Sequence, residues 1–381
     1  MLSKRIALVA AAAALAAAAV TASTASASRN LLKGLYDDGN TLTGDPTVTF
    51  PMMKQLGTKI VRINLHWGGP LGVAGVDPTV RPYDPNDGQY NWELYDRAVN
   101  YANENGLQVM FSIVGTPRWA NGGKAARVPP SNARFYAQLR DFAFAAATRY
   151  SGAFKLPSDG RVLPAVRYWA AWNEPNNPVF LEQTRNRRTF TSPQSYARIC
   201  NAIVQGVKGT LIRGQRVACG VTAPRGNNAP RSSRPSVSPL AFLRGMKRWG
   251  ARGFDAYAHH PYYGHRTEKP TAKPKSRTAV QLGNINDLDK ELRRLYGNRM
   301  RIWITEYGYQ TRPDRLFAVS LAQQSVYMRQ AWAIAKRHPR IDMFTWFMLK
   351  DDTNIPVGWQ SGLVTSRWAK KPSFNAFRAL R

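Results

Sequence analysis

The sequence runs to 381 residues, with 54 Lys and Arg against 23 Asp and Glu, a formal net charge of +31. A chain this long can bury an ample core without covalent staples, and two cysteines without a Cys/His cluster offer no metal-type ligand set. The cation surplus attracts anionic polymer, but the basic residues are scattered, with short clusters at 185–188 and 269–277 and no nucleic-acid motif, so no specific nucleic-acid partner is expected.

The first residues read as a leader. Lys4 and Arg5 precede an apolar run over 6–20, and Ala25-Ser26-Ala27 supplies an A-x-A cleavage site. The run of about 15 residues falls short of the roughly 20 that span a bilayer. Cleavage between Ala27 and Ser28 is expected, followed by secretion of one soluble, monomeric domain over 28–381.

Past the leader, strands alternate with helices. A short apolar strand over 31–35 is followed by a helix over 47–56 and a second strand over 59–67. A Gly, Pro and Asp loop over 68–90 leads to an amphipathic helix over 92–105, with Gly106 as its stop signal. The third strand covers 108–114, and a Gly, Pro and Lys loop leads to a helix over 134–150. The fourth strand covers 165–172. Ser192-Pro193 then fits the start of a helix over 193–209.

The fifth strand covers 216–222, a basic, Pro-rich loop 223–239, and the next helix 240–249. A sixth strand over 254–260, a loop over 264–277 and a helix over 285–296 follow, then a seventh strand over 300–305 and a helix over 317–338. The eighth strand covers 343–349 and a closing helix 373–380. Eight short strands rich in Val, Ile and aromatics suit buried parallel pairing. The α/β class with a single (β/α)₈ TIM barrel is predicted. An open doubly wound sheet usually carries a Gly-rich loop after its first strand, and this sequence has none. Cys200 falls on a helix and Cys219 on the next strand. Their spacing leaves a disulfide and two buried thiols equally open.

The long loops mostly follow strands, and in a barrel those loops build the active-site face. The fourth strand ends in Trp172-Asn173-Glu174-Pro175-Asn176 and the seventh in Ile304-Thr305-Glu306-Tyr307-Gly308. Strands four and seven are three places apart on a ring of eight, so their ends face each other across the mouth. Two opposed carboxyls suit glycoside hydrolysis: one protonates the leaving oxygen while the other attacks the anomeric carbon. A polar Asn-Glu pair directly after an apolar strand is costly to bury unless it is used.

These residues carry a resemblance. Over roughly 31–380 the chain resembles the clan A glycoside hydrolases, the group of cellulases, xylosidases and β-mannanases, most specifically at Trp172-Asn173-Glu174-Pro175. The resemblance implies a retaining double displacement on a carbohydrate, with Glu174 as acid/base and Glu306 as nucleophile and no cofactor or metal. It implies that Arg62 bonds the nucleophile carboxylate and that Asn173 contacts a sugar 2-hydroxyl. It also implies that His260, or its neighbour His259, and Tyr262 stand by the nucleophile, and that Trp346 is an aromatic sugar platform. His66, Trp67 and Trp119 are further candidates near the mouth, and Trp359 is placed in the loop after strand eight. Asp351 and Asp352 read as ordinary loop charges. Glu174 is expected to have a raised pKa through nearby Glu306 and partial burial. The alternatives are a barrel that binds glycan without cleaving it and an exported basic protein that binds anionic polymer. The Arg-rich 223–239 loop lies outside the clan's pattern.

Overall fold

A computed structural model describes residues 30–184, 186–354 and 358–381; the expected leader, 1–27, lies outside them. Eight strands form a closed all-parallel barrel: β1 (Leu32–Tyr36), β2 (Ile60–His66), β3 (Gln108–Val114), β4 (Tyr168–Ala171), β5 (Arg216–Thr222), β6 (Ala256–His259), β7 (Arg301–Tyr307) and β8 (Ile341–Phe347). The ring closes where β8 pairs with β1, from Leu32 opposite Met343 to Tyr36 opposite Phe347. Eight helices follow the strands in turn: α1 (Pro46–Gln55), α2 (Glu93–Glu104), α3 (Ala133–Arg149), α4 (Ser192–Gly209), α5 (Pro239–Arg248), α6 (Ile285–Tyr296), α7 (Leu321–Arg337) and α8 (Pro372–Arg378). Among the described residues no helix is long and apolar enough to cross a membrane.

The strands alternate between two cores. Ile60, Met110, Ala170, Ala218, Ala256, Ala258 and Met343 turn inward around Trp303, which packs on Tyr168 at 5.6 Å. Small residues on β4, β5 and β6 make room for that indole, in keeping with close packing. The intervening residues, Val61, Ile63 and Leu65 among them, face the helices and join the larger core.

Several boundaries differ from expectation. The fourth strand starts only at Tyr168, because Val166 donates its N–H to Tyr150 at the end of α3 rather than to a strand. The sixth starts at Ala256, since the Asp255 carboxylate takes the N–H of Val217 and the Lys208 ammonium. The seventh extends to Tyr307, so Glu306 lies on the strand rather than after it. The eighth begins at Ile341 and ends at Phe347, two residues earlier than predicted at each end. Helix α7 begins after Ser320, which caps it by accepting from Gln323 N–H. Ser192 is the first residue of α4 rather than its cap, and its hydroxyl donates to Gln183.

Cys200 and Cys219 are disulfide-bonded, tying α4 to β5. The chain end is anchored by Lys33 of β1, whose ammonium donates to the carbonyls of Phe377 and Leu380 at 3.1 Å each, satisfying carbonyls that α8 leaves unpaired. Asp351 departs from its reading as a loop charge: it is buried and pairs with buried Lys371 at 2.7 Å. In the chain-entropy account the Cys200–Cys219 loop, 19 residues in separation, contributes about 3 kcal/mol. Cys200→Ala/Cys219→Ala is expected to lose about that much in urea unfolding; an unmoved midpoint would show that the crosslink constrains nothing.

Candidate active site

The C-terminal mouth of the barrel is organised around Arg62. Inward on β2 and fully enclosed, its guanidinium donates to Glu306 Oε1 at 2.7 Å, Asn173 Oδ1 at 2.6 Å, Ser112 Oγ at 3.0 Å and the Thr305 carbonyl at 3.2 Å. Its fork also lies 4.3 Å from the Tyr36 ring centroid. A buried guanidinium needs such partners to repay its desolvation, and β1, β3, the end of β4 and β7 supply them.

Alternation along β7 would send Thr305 and Glu306 to opposite faces. The register against β8 slips between Ile304 and Tyr307, and both side chains reach the mouth. Thr305 Oγ1 lies 3.0 Å from His260 Nε2, and Glu306 Oε2 accepts from the Tyr262 hydroxyl at 3.1 Å. The site histidine is thus His260; His259 points away, bonded to Thr222 Oγ1 and the Val280 carbonyl.

Arg62 assigns the His260 tautomer. It lies 3.1 Å from His260 Nε2 and can only donate, so Nε2 accepts and the proton sits on Nδ1. Nδ1 then donates to Glu174 Oε1 at 3.0 Å. Burial pushes the His260 pKa down to about 3, against the raising effect of Glu306, so the imidazole is neutral near pH 7.

Glu174 stands in different surroundings. It is 9% exposed, and Oε2 accepts from the Asn177 side-chain amide at 2.9 Å. Burial raises its pKa to about 7, while the Asn177 bond and the Arg62 and Arg225 charges pull it down. Of the two expected causes, burial is the one that raises it, and Glu306 is not among the contributions. One oxygen of each carboxylate lies within 4.8 Å of the other, close to the roughly 5 Å spacing of a retaining pair.

The backbone here is strained. Trp172 has φ 72° and Glu174 φ 37°, in a left-handed region that bulky residues rarely occupy. The turn is held from β3 by Trp172 N–H to Ile113 and from β5 by Glu174 N–H to Val221, each at 2.8 Å. The β5 partner sits in an irregularity of its own, with Gly220 at φ 91°, where a Cβ would lie 2.4 Å from the Tyr257 ring. Fully buried Asn176 then ties this turn to the loop after β5. Its amide donates to the carbonyls of Ala223 and Val237 at 3.2 and 2.9 Å, and its oxygen accepts from Ala223 N–H at 2.8 Å.

Above the carboxylates opens a cleft of about 700 Å³. Phe180, Phe317, Phe347 and Trp359 give it apolar surface, and Arg225 and Arg234 a basic edge. Asn173, with its oxygen committed to Arg62, lines the cleft with an amide nitrogen that makes no hydrogen bond among the described residues.

Six expected residues meet here: Glu174, Glu306, Asn173, Arg62, His260 and Tyr262. Four others do not. Trp346 is fully buried on the outward face of β8, with its indole N–H on the Ser361 carbonyl. The inward phase of β8 carries Met343, Thr345 and Phe347, so the exposed aromatic surface comes from Phe347 and from Trp359, which packs 5.3 Å from Phe347 and 5.7 Å from Tyr262. Trp67 is in the outward phase of β2, buried against Phe142 and Trp119. Trp119 bonds the Ala74 carbonyl away from the cleft, and His66, the last residue of β2, lies outside the cleft lining. Asn176, Asn177, Arg225 and Arg234 were not anticipated. Asn176 and Asn177 adjoin the Asn-Glu-Pro motif, a signal that was available.

Glu174, His260 and Glu306 are the one group among the described residues with the spacing of metal ligands. They fit a metal poorly. Arg62 already brings a fixed cation to Glu306 Oε1 and His260 Nε2, and the third ligand atom, His260 Nδ1, carries a proton.

No protein-family model matches the chain, and no curated protein does. Solved structures do match. A family 39 glycoside hydrolase from Bacteroides cellulosilyticus WH2 superposes with a TM-score of 0.63 at 17% identity, over 92% of this chain and 63% of the other. A glucosidase from Croceicoccus marinus gives 0.64 at 13%, over 92% and 66%. A monomeric β-xylosidase from Caulobacter crescentus CB15 gives 0.58 at 16%, over 92% and 68%. This chain thus spans just under two thirds of the length of the first two. At such identities the likeness shows a shared fold, the barrel on which these glycoside hydrolases are built.

The raised pKa of Glu174 has a consequence for stability. The folded state holds its proton more tightly than the unfolded chain, so the stabilisation is complete below about pH 4.5 and is lost as the pH rises to about 7. Wild type is expected to lose up to about 3 kcal/mol relative to Glu174→Gln across that window. Urea unfolding of both proteins at pH 4, 5.5 and 7.5 measures it; a constant difference would place Glu174 at an ordinary carboxyl pKa.

Proposed function

We propose that the chain is a retaining glycoside hydrolase acting on β-linked glycans, with Glu174 as acid/base and Glu306 as nucleophile. The observation that carries this reading is the unequal wiring of two carboxylates whose oxygens come within 4.8 Å. Glu306 is paired with a buried guanidinium on one oxygen and accepts from a tyrosine hydroxyl on the other. Glu174 is buried with one amide donor and a pKa raised to about 7, which favours a proton ready to give.

In this mechanism Glu174 donates its proton to the glycosidic oxygen while Glu306 attacks the anomeric carbon. The bond to the leaving group breaks and a glycosyl ester forms on Glu306. Glu174, now ionised, takes a proton from water, whose oxygen displaces the ester and restores the original anomeric configuration. Neutral His260 donates from Nδ1 to Glu174 and steadies its ionised state between the two steps. The free amide nitrogen of Asn173 is placed for a sugar hydroxyl, and Trp359 and Phe347 offer aromatic faces to the apolar faces of sugar rings.

The reading includes export, supported by the leader-like first 27 residues and by the disulfide, which suits an oxidising compartment. We take the protein to act as a monomer, its basic surface drawing it to anionic polymer.

The test uses aryl β-glycosides and soluble β-glycans with wild type, Glu174→Ala and Glu306→Ala. Glu306→Ala is expected to be inert throughout. Glu174→Ala should lose about 10²–10⁴-fold on poor leaving groups, retain activity on activated aryl glycosides, and yield a β-glycosyl azide when azide is added. A folded wild type inert across the panel would overturn the enzymatic reading and leave a glycan-binding barrel. On the wild-type protein kcat/KM should fall above a pH of about 7 as Glu174 ionises. A profile flat from pH 6 to 9 would remove Glu174 from the acid role.

A further inference from the structure

The cleft is asymmetric in charge. Its carboxylates are Glu174 and Glu306, both engaged in the cluster around Arg62 and His260. Its cations at the rim are Arg225 and Arg234, both exposed. Among the described residues neither enters an ion pair. Among the described residues the Arg225 guanidinium makes one hydrogen bond, to the Gly264 carbonyl at 3.2 Å, and that of Arg234 makes none. Other arginines of this chain do find carboxylates: Arg149 pairs with Asp96, Arg244 with Glu291 and Arg340 with Asp289.

The backbone carrying these two arginines is held firmly. Asn176 pins both roots of the loop through Ala223 and Val237, and its amide also reaches the Arg225 carbonyl at 3.4 Å. At the tip, the Asn227 amide donates to the Arg234 carbonyl and to Ser232 Oγ, each at 2.9 Å, and its oxygen accepts from the N–H groups of Ala229 and Ser236. Gly226 lets the two limbs meet: a Cβ there would come within 2.1 Å of the Val237 backbone. A rigid backbone presenting two unpaired guanidinium groups into a cleft is pre-organised for an anion, since little ordering is left to oppose binding.

The loop also fixes which part of a ligand it meets. It leaves β5 beside Val221, whose carbonyl holds the Glu174 backbone, so it flanks the acid/base rather than the nucleophile. Glu174 faces the bridging oxygen, and residues beside it contact the leaving portion of the substrate. We propose that Arg225 and Arg234 form a subsite for a carboxylate or sulfate on the leaving-group side of the scissile bond, and that the substrate is an acidic polysaccharide. This rests on the glycosidase reading for the position of the scissile bond, and on the cleft alone for the anion.

The experiment measures binding, which needs no turnover. Glu306→Gln protein is titrated at low salt with β-linked tetrasaccharides in gluco, manno and galacto configuration, each in neutral, 6-carboxylated and 6-sulfated form. At least one anionic form is expected to bind roughly tenfold tighter than its neutral counterpart, equivalent to about 1.4 kcal/mol. The advantage should shrink as salt is raised. Preference for the carboxylated or the sulfated arm identifies the acidic group.

The overall charge of +31 would attract any anion weakly, so location is read from variants. Adding Arg225→Gln/Arg234→Gln should abolish the advantage. Adding Lys290→Gln/Arg329→Gln, both exposed on α6 and α7 away from the cleft, should preserve it. The proposal is overturned if no anionic form is preferred, if preference survives the cleft substitutions, or if the distant pair removes it equally. The outcome is independent of catalysis. Neutral aryl glycosides turned over without any anion preference would sink this inference and leave the glycosidase reading intact; anion preference in a protein inert on every glycoside would do the reverse.

Discussion

Everything at the mouth of this barrel depends on how one buried guanidinium is satisfied. Arg62 has no access to water, and its desolvation is tolerable only because Ser112, Asn173, the Thr305 carbonyl and Glu306 converge on it from β3, the end of β4 and β7. Those partners are far apart in sequence and meet only when the ring of strands closes. The same bonds orient Asn173, hold Glu306 and, by donating to His260 Nε2, place the imidazole proton against Glu174. A network of this kind is worth having only when complete, since each missing partner leaves a buried charge exposed to the full desolvation penalty.

Two chemically identical side chains acquire opposite characters from this arrangement. Glu306 faces a cation and a hydroxyl, while Glu174 is enclosed with an amide and a neutral histidine. Separate environments for paired carboxyls are how one site holds an acid and a nucleophile at the same pH. The strained turn at Trp172 and Glu174 is part of what separates the two environments. It lifts Glu174 off the strand, and the bonds from Ile113 and Val221 offset the cost of about 1–3 kcal/mol per left-handed residue. Asn176 extends that control outward, so the same motif that positions Glu174 also fixes the loop that edges the cleft.

Much of this was legible in the sequence. Alternating strand and helix signals determined the eightfold barrel, and the positions of Asn173, Glu174 and Glu306 at strand ends placed them at one mouth, because strand direction in a parallel ring leaves no other place for them. Arg62, a charge within an apolar strand, was named through the resemblance to clan A, and its burial fits the role the resemblance implied. His260 and Tyr262 likewise came from the resemblance, which left His259 and His260 open until the structure turned His259 away.

Tertiary structure decided the rest, for reasons of phase and of path. Trp346 and Phe347 are adjacent aromatics on β8, and sequence cannot say which faces the lumen when both faces of a strand are apolar. The pairing of Leu35 with Trp346 and Tyr36 with Phe347 settles it, and Trp346 and Trp67 become core. The slip in β7 register, which lets Thr305 and Glu306 both reach His260, arises between strands and has no local signature. Whether Cys200 and Cys219 bond depended on the approach of α4 to β5. Trp359, Asn177, Arg225 and Arg234 reach the cleft through loops whose course is set by distant hydrogen bonds, above all those of Asn176. Period and composition determine which elements form; only closure of the ring, which sets their relative rotation and register, determines which side chains meet.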